Sequence, residues 1–381
     1  MTEVLTVLGF MSGTSLDGID IAILQTDGKE ILRPGPNAFA PMPEVVRNGL
    51  EDAITAARVT PRSAPRPPLF DVVGRLVAQT HARAAEEFLA ASNIPPQDID
   101  LVGFHGVTVL HERPLDGQPG RTIQLGDAEL LAQMMGLDVV HDFRSADVAA
   151  GGEGAPLAPV YHRALVKNSG LEGPVAVLNL GGVGNLTLVK GDDLLAFDTG
   201  PGNGLMDSWM RHHGAGAYDR DGLLAQAGRV DDGALAALQS HPYFQKPVPK
   251  SLDRYDFSLE AVMPLSLEDG LATLAAFTVW SVCEGLRLMP TAPSQMIVCG
   301  GGRHNATLLA GLRDQAGLSV QTAEDVGWRG DHLEAEAFAY MAARSVFGLP
   351  ISFPGTTGVN KPMRGGQLAK APDPGGRQAS L

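Results

Sequence analysis

Gly9-Phe10-Met11-Ser12-Gly13-Thr14-Ser15-Leu16-Asp17-Gly18-Ile19-Asp20 is the stretch from which the rest of this chain is read. The apolar run Val4 to Leu8 before it has the character of a strand. Ile19, Ile21 and Ile23 alternate with Asp20 and Ala22, the pattern of a second strand. The turn between them holds Gly13, Thr14, Ser15, Asp17 and Gly18. Glycines let a ligand approach the backbone, and hydroxyl and N–H groups cradle phosphate oxygens. Asp17 is placed to hold a Mg²⁺ ion, directly or through its waters. One such turn alone also describes an ordinary hairpin, so the rest of the chain has to decide.

At 381 residues the chain is long enough for two domains with real cores. Hydrophobic residues make up 44% and charged residues 19%, a globular rather than a disordered composition. A net charge of −14 argues against nucleic acid or an anionic membrane as the main partner. Phosphates can still be bound locally by glycine loops and Mg²⁺. Cys283 and Cys299 fall in a predicted helix and a predicted strand and are expected as buried thiols, which fits a reducing cytosol and a cytoplasmic location. The start of the chain has Glu3 and no basic segment, so no signal peptide is expected. Leu271 to Cys283 is too short an apolar run to span a bilayer. The histidines show no metal-ligand spacing.

The opening pattern recurs. Pro174 to Leu180 predicts a strand, Gly181-Gly182-Val183-Gly184 a glycine turn, and Asn185 to Val189 a second strand. Asp193 to Phe197 predicts a third, delivering Asp198-Thr199-Gly200-Pro201-Gly202-Asn203. Ile31 to Ala40 plays the third-strand part in the first half. Each half then continues through helix, strand, helix, strand. Ile99 to Phe104 leads into His105-Gly106-Val107-Thr108, and Asp138 to His141 into Asp142-Phe143-Arg144. Leu267 to Leu288 predicts a long helix, and Gln295 to Cys299 a strand before Gly300-Gly301-Gly302-Arg303-His304-Asn305. Gly151 to Pro159 reads as the far side of a domain junction. The chain from about Arg364 is polar and rich in glycine and proline, and disorder is expected there.

These elements resemble an α/β fold of the actin, Hsp70 and sugar-kinase type. That is a duplicated two-domain architecture with mixed sheets and a nucleotide cleft between the domains. The first domain is expected over 1–140 plus 351–381 and the second over 141–350. The motifs resemble one family more closely. Met11 to Gly18, Asp142-Phe143-Arg144, Gly154-Ala155-Pro156-Leu157, Asn179-Leu180-Gly181-Gly182, Phe197 to Asn203, Pro249-Lys250-Ser251 and Cys299-Gly300-Gly301-Gly302 are similar to the anhydro-N-acetylmuramic acid kinases. The resemblance runs from about residue 5 to about residue 358. It implies that ATP and water convert 1,6-anhydro-N-acetylmuramic acid to N-acetylmuramic acid 6-phosphate in peptidoglycan recycling. The chain departs from the family pattern at Val107, where a glutamine is usual, at Ser145, where a second arginine is common, and at Leu252-Asp253.

The resemblance makes Asp198 the base that activates water. Its other reading is a turn or helix-capping aspartate. Gly13, Thr14, Ser15, Asp17, Gly18 and Asp20 are expected as the first phosphate loop, with Mg²⁺ on Asp17. Gly181, Gly182 and Asn185 are expected as the second, and Gly300, Gly301, Gly302 and Asn305 as the adenosine lining; a plain strand-to-helix turn would look the same. Arg144 suits the lactyl carboxylate of the sugar, against a surface ion pair as the alternative. Glu334 matches a sugar-contacting glutamate in a helical first turn that favours acids anyway. His105 and Thr108 complete the substrate set, with a structural histidine as the plainer reading of His105. The expected partners are a small amino sugar and, for assembly, a second copy of the chain. An ordinary hexose or amino-sugar kinase, or a non-enzymatic nucleotide switch, would share the fold.

Overall fold

The computed structural model describes residues 3–13, 15–114, 117–252 and 256–372. Thr14 and the end of the chain beyond 372 lie outside the described residues. The chain divides into two compact units. One runs to Ala164 and takes in Glu334–Pro354 and the chain from Gly358; the other is Leu165–Leu333 with Gly355–Thr357.

In the first unit β1 (Leu5–Ser12), β2 (Gly18–Thr26) and β3 (Ile31–Pro41) form an antiparallel meander. Helices α1 (Glu44–Val59) and α2 (Pro68–Ala91) then carry the chain to β4 (Leu101–Glu112), which lies parallel to β1 on its other side. A parallel neighbour needs such a crossover. β5 (Arg121–Leu125) pairs back on β4, and α3 (Ala128–Met135) leads to β6 (Val139–His141), parallel to β4. Val7, Leu8 and Phe10 of β1 are fully buried, as a central strand covered on both faces requires. α2 begins with Pro68 in its first turn and buries Phe70, Val73, Val77, Ala78, His81, Ala85 and Phe88, the i, i+3, i+4 stripe of an amphipathic helix. Two short helices follow, α4 (Ser145–Ala149) and α5 (Pro159–Asn168).

The second unit repeats the plan. β7 (Val175–Leu180), β8 (Gly184–Lys190) and β9 (Asp193–Gly200) form the meander. Helices α6 (Gly204–His212), α7 (Leu223–Ala227), α8 (Asp232–Gln239) and α9 (Leu267–Arg287) precede β10 (Gln295–Cys299), which lies parallel to β7. α10 (Ala306–Gln315) and β11 (Ser319–Thr322) complete the sheet. α9 starts on Ser266, whose hydroxyl accepts the Asp269 N–H at 3.1 Å, and has Glu268 and Asp269 in its first turn and Arg287 in its last. Those charges complement the helix dipole. The strand orders are β12-β6-β4-β1-β2-β3 and β11-β10-β7-β8-β9, where β12 is Gln367–Ala369. In both sheets the first strand of the meander sits between an antiparallel and a parallel neighbour. Each unit is thus an α/β body built on the same mixed-sheet plan, as the recurring pattern predicts.

Two expectations are corrected. The chain after Arg364 is not wholly irregular: Gln367–Ala369 pairs antiparallel with Val139–His141 and closes the exposed edge of β6. The unit borders also differ from 140/141 and 350/351. Helix α11 (Leu333–Val346) belongs to the first unit because it lies directly on β1 and β4. A Cβ on Gly9 would stand 2.1 Å from the Ala335 carbonyl oxygen, and one on Gly103 2.4 Å from that of Phe338. The glycine-rich run 151–159 stays with the first unit too. The buried Asp147 gathers it, accepting the Gly154 N–H at 2.7 Å and the Ser352 hydroxyl at 2.5 Å.

Because backbone rather than a flexible side chain faces Gly103, Gly103→Ala must push α11 off the sheet. We expect it to lower stability by roughly 1–3 kcal/mol or more, read as a fall in the calorimetric unfolding temperature. An unchanged transition would show that α11 does not rest on this strand.

Candidate active site

In the second unit Asp198 lies in β9, two residues before the strand ends, and is the cross-strand partner of Asn185. Directly opposed residues of an antiparallel pair have their Cβ atoms about 4.5–5.5 Å apart. The register therefore brings the expected base beside the asparagine of the second phosphate loop. One loop clamps Asp198. Its N–H donates to the Lys250 carbonyl at 2.9 Å, its carbonyl accepts the Tyr243 hydroxyl at 2.5 Å, and its Oδ2 accepts the Leu252 N–H at 2.7 Å. Asp198 is neither a helix cap nor the head of a turn. Lys250 is buried, its ammonium 4.5 Å from the centre of the Tyr243 ring. Burial and the Lys246 charge push its pKa down.

The glycines sort by what stands in front of them. A Cβ on Gly182 or Gly301 would meet nothing within 4 Å; on Gly181 it would meet only the Val183 carbonyl at 3.6 Å, and on Gly13 nothing closer than the Ser15 hydroxyl at 3.4 Å. Internal packing does not require glycine at these four positions, and each leaves open backbone where a ligand can approach. Gly18, Gly300 and Gly302 are glycine for internal reasons. A Cβ would lie 2.2 Å from the Phe39 ring, 2.3 Å from Asn179 Oδ1 and 2.6 Å from Leu180 Cβ, respectively. Asn305 caps α10, its Oδ1 accepting the Leu308 N–H at 3.0 Å. That makes it the organiser of the turn.

In the turn expected as the first phosphate loop Asp17 is exposed, and its Oδ1 accepts the Ser15 hydroxyl at 2.5 Å. Leu16 takes a left-handed backbone (φ 56°) with its side chain buried, and its carbonyl accepts Arg47 Nε at 3.1 Å. Asp20 is half-buried in β2, opposite Met11 and Phe39. Sequence reasoning missed His81. The Ser12 hydroxyl, one residue before the loop, donates to His81 Nε2 at 3.1 Å, and His81 Nδ1–H donates to the Val77 carbonyl at 2.8 Å. Burial pushes this histidine down to about 4, so it is neutral and can accept. Nothing local to Thr80-His81-Ala82 signals the contact, because Ser12 is 69 residues away.

Of the substrate candidates, His105 and Glu334 gather at Arg144, and Thr108 does not. Its Nε donates to His105 Nε2 at 3.0 Å and its NH1 to the Gly154 carbonyl at 2.8 Å. Burial pushes the guanidinium down to about 10, while the charges of Glu334 and Asp147 pull it back. It therefore stays cationic at neutral pH and near Glu334. Among the described residues it forms no ion pair within 4 Å, so a surface salt bridge does not account for it. One NH1 proton and the NH2 group remain for a ligand. His105 is buried, and its Nδ1–H donates to the Gly106 carbonyl at 2.8 Å. Burial and the Arg144 charge hold it well below the usual histidine range. With both nitrogens taken, it orients Arg144 rather than offering a free atom. Thr108 Oγ1 accepts from Gln124 at 3.1 Å. Val107 is fully buried in the core, so the departure there does not remove a group from this cluster.

The sequence gives no sign of the role of Arg303 either. Its buried guanidinium bonds Glu324 through Nε at 2.9 Å and NH2 at 2.8 Å, Asp331 through NH1 and NH2 at 2.8 Å, and the Gly300 carbonyl at 3.0 Å. It ties the Gly300–Gly302 turn to the segment before α11. Its hydrogen bonds hold Asp331 down to about 2, and Glu324, though partly desolvated, is also lowered. Carboxylates depressed on folding stabilise above their unfolded pKa and lose that contribution as pH falls through the folded value. The urea midpoint of the second unit should therefore drop between about pH 4.5 and 2. Arg303→Met should cost about 1–3 kcal/mol at neutral pH, less than a wholly buried pair because both carboxylates are half exposed, and should flatten that acid limb. Trp209, Trp280 and Trp328 all lie in this unit, so tryptophan fluorescence reads it.

The sequence model of the anhydro-N-acetylmuramic acid kinase family matches residues 5–371. The chain is 55% identical over 365 residues to the anhydro-N-acetylmuramic acid kinase of Phenylobacterium zucineum, covering 96% of this chain and 99% of that one. It is 48% identical over 370 residues to the enzyme of that name from Rhizobium rhizogenes, covering 97% and 100%. Among solved structures, the activator of the 2-hydroxyisocaproyl-CoA dehydratase from Clostridium difficile with bound ADPNP matches 90% of this chain and 96% of its own, at 10% identity and a TM-score of 0.45.

Proposed function

The chain belongs to the anhydro-N-acetylmuramic acid kinase family, and from that premise we propose how its own residues divide the work. The reaction is the family's: ATP and water convert 1,6-anhydro-N-acetylmuramic acid to N-acetylmuramic acid 6-phosphate and ADP, with hydrolytic opening of the anhydro ring. The observation that carries the assignment of roles is the three-point clamp on Asp198 beside Asn185.

The anhydro sugar has no free O6, so its C1–O6 bond must break. Asp198 takes a proton from water as that water adds to C1 on the face opposite O6. The C1–O6 electron pair passes to O6, which bonds to the γ-phosphorus, and the bond from that phosphorus to the ADP oxygen breaks. An inverting glycosidase needs a second carboxylic acid to protonate the leaving oxygen. Here O6 leaves into the phosphoryl group, and one carboxylate suffices. Arg144 offers its remaining N–H groups to the lactyl carboxylate, with Glu334, near it, and Thr108 as further candidates for contact with the sugar. Gly13, Gly181, Gly182 and Gly301 give the nucleotide open backbone.

The residues present fit a Mg²⁺ ion held mainly by the nucleotide. No group of three or more His, Cys, Asp or Glu able to hold a metal occurs among the described residues, while Asp17 is exposed beside the open Gly13. A single carboxylate plus substrate phosphates is the usual protein-side arrangement for Mg²⁺. When bound, the ion neutralises charge on the β- and γ-phosphates. No described helix is long and apolar enough to cross a membrane. The use of ATP and the free Cys283 and Cys299 support a cytoplasmic location.

Asp198→Asn keeps the shape and removes the base. Turnover should fall roughly 10²–10⁴-fold while ATP binding persists. In ¹⁸O-labelled water the label should enter C1 of the product and not its phosphate. Label in the phosphate, or normal turnover by the variant, would sink the mechanism.

Asp17→Asn should raise the Mg²⁺ concentration needed for half-maximal rate and weaken use of Mg²⁺-ATP, with circular dichroism unchanged. Equal rates for both proteins across a Mg²⁺ titration would return the first loop to an ordinary hairpin turn.

A further inference from the structure

We propose that Gln367, in the strand that the sequence reads as a disordered tail, is a positioning residue for the sugar site, acting through Asp142 on Arg144. The proposal rests on the reading of Arg144 as the carboxylate-binding residue.

Asp142 adopts a left-handed backbone (φ 51°), a conformation that costs a non-glycine residue about 1 kcal/mol or more and persists only where the surroundings enforce it. It is the bend between β6 and α4, and it sets the direction in which Phe143 and Arg144 leave the sheet. Both carboxylate oxygens are used to hold it. Oδ1 accepts the Ser145 N–H at 3.3 Å, within the turn, and Oδ2 accepts Gln367 Nε2 at 2.7 Å, from 225 residues away.

The segment around Gln367 is anchored independently on both sides. The ladder pairs Gln367 with His141, Leu368 with Val140 and Ala369 with Val139. Before it, the Gly365 carbonyl accepts the Ser345 hydroxyl of α11 at 2.6 Å, and a Cβ on Gly365 would stand 2.6 Å from the Phe143 carbonyl oxygen. After it, Lys370 Nζ and the Ala371 N–H both bond Asp138, at 2.6 and 2.9 Å. Gln367 is thus presented to Asp142 by a strand that does not depend on that one bond. Arg144 emerges from the same turn with its Nε and NH1 already committed to His105 and Gly154. A small rotation of the turn would break those two bonds and swing the free NH2 edge. The exposed Gln367 side chain buries little and contributes little to the core.

The test uses the full chain and steady-state kinetics with the anhydro sugar and ATP varied separately. Gln367→Leu removes the donor and is expected to raise KM for the sugar roughly 5- to 30-fold, at and below the low end for a hydrogen bond to a charged group because the effect reaches Arg144 indirectly. KM for ATP should stay within about twofold. Gln367→Lys restores a donor to Asp142 and is expected to recover most of the sugar KM. Arg144→Ala is run alongside as the control for the underlying reading. If it raises the sugar KM and Gln367→Leu does not, the proposal is overturned and the reading of Arg144 stands. If Arg144→Ala leaves the sugar KM unchanged, that reading fails and takes the proposal with it. A Gln367→Leu protein in which both KM values and the unfolding temperature worsen together, without rescue by Gln367→Lys, also overturns it, because a purely structural strand would behave so.

Discussion

A carboxylate proposed as the base on one chosen water has to be held in direction, and three hydrogen bonds from one loop hold Asp198. Lys250 O, Tyr243 Oη and Leu252 N take the N–H, the carbonyl and one carboxylate oxygen. The loop that does this needs its own support. Tyr243 is almost fully buried, with Phe257 and Phe244 against its ring and the Lys250 ammonium over it. The aromatic cluster continues through Phe277 and Trp280 of α9. The position of one carboxylate therefore depends on the helix that covers the second sheet.

The duplicated sheets show how one architecture serves two kinds of chemistry. In each, an antiparallel hairpin beside a parallel strand places a glycine turn at the end of the first strand. In the first unit that turn is braced from below by a neutral histidine on Ser12 and by Arg47 on Leu16. In the second it is braced by neighbouring backbone. Asn203 N–H donates to the Gly181 carbonyl at 2.8 Å and Gly204 N–H to that of Gly182 at 3.1 Å. The turn and the Asp198 to Asn203 segment are thereby one unit, and the open faces of Gly181 and Gly182 point away from it.

Each unit carries an arginine tied into a hydrogen-bond network. Arg144 keeps its cation in a buried place because His105 is neutral and accepts, with Glu334 and Asp147 near enough to favour the charged form. Arg303 is satisfied completely by two carboxylates and a carbonyl, and is structural. Two arginines that look alike in the chain, each following a short motif, thus differ: Arg303 is fully used within the protein, and Arg144 is the one proposed to meet the anion of a ligand. What separates them is whether the protein itself supplies the anion.

The duplication, the strand and helix order, the buried cysteines and the place of Asp198 near a strand end were legible in the chain. They depend on local periodicity and turn chemistry, and such signals lie within a few residues of each other. Seven motifs in order also fixed the family. The three-dimensional structure decided the rest, and in each case the partners are far apart in sequence. His81 reaches Ser12, Gln367 reaches Asp142, and Arg303 reaches Asp331 across 69, 225 and 28 residues. The glycines illustrate the division well. Their positions were plain from the sequence, but only packing distinguishes Gly182, with nothing before it, from Gly300, against Asn179. A glycine records that a side chain is missing; what occupies the space instead is a property of the fold.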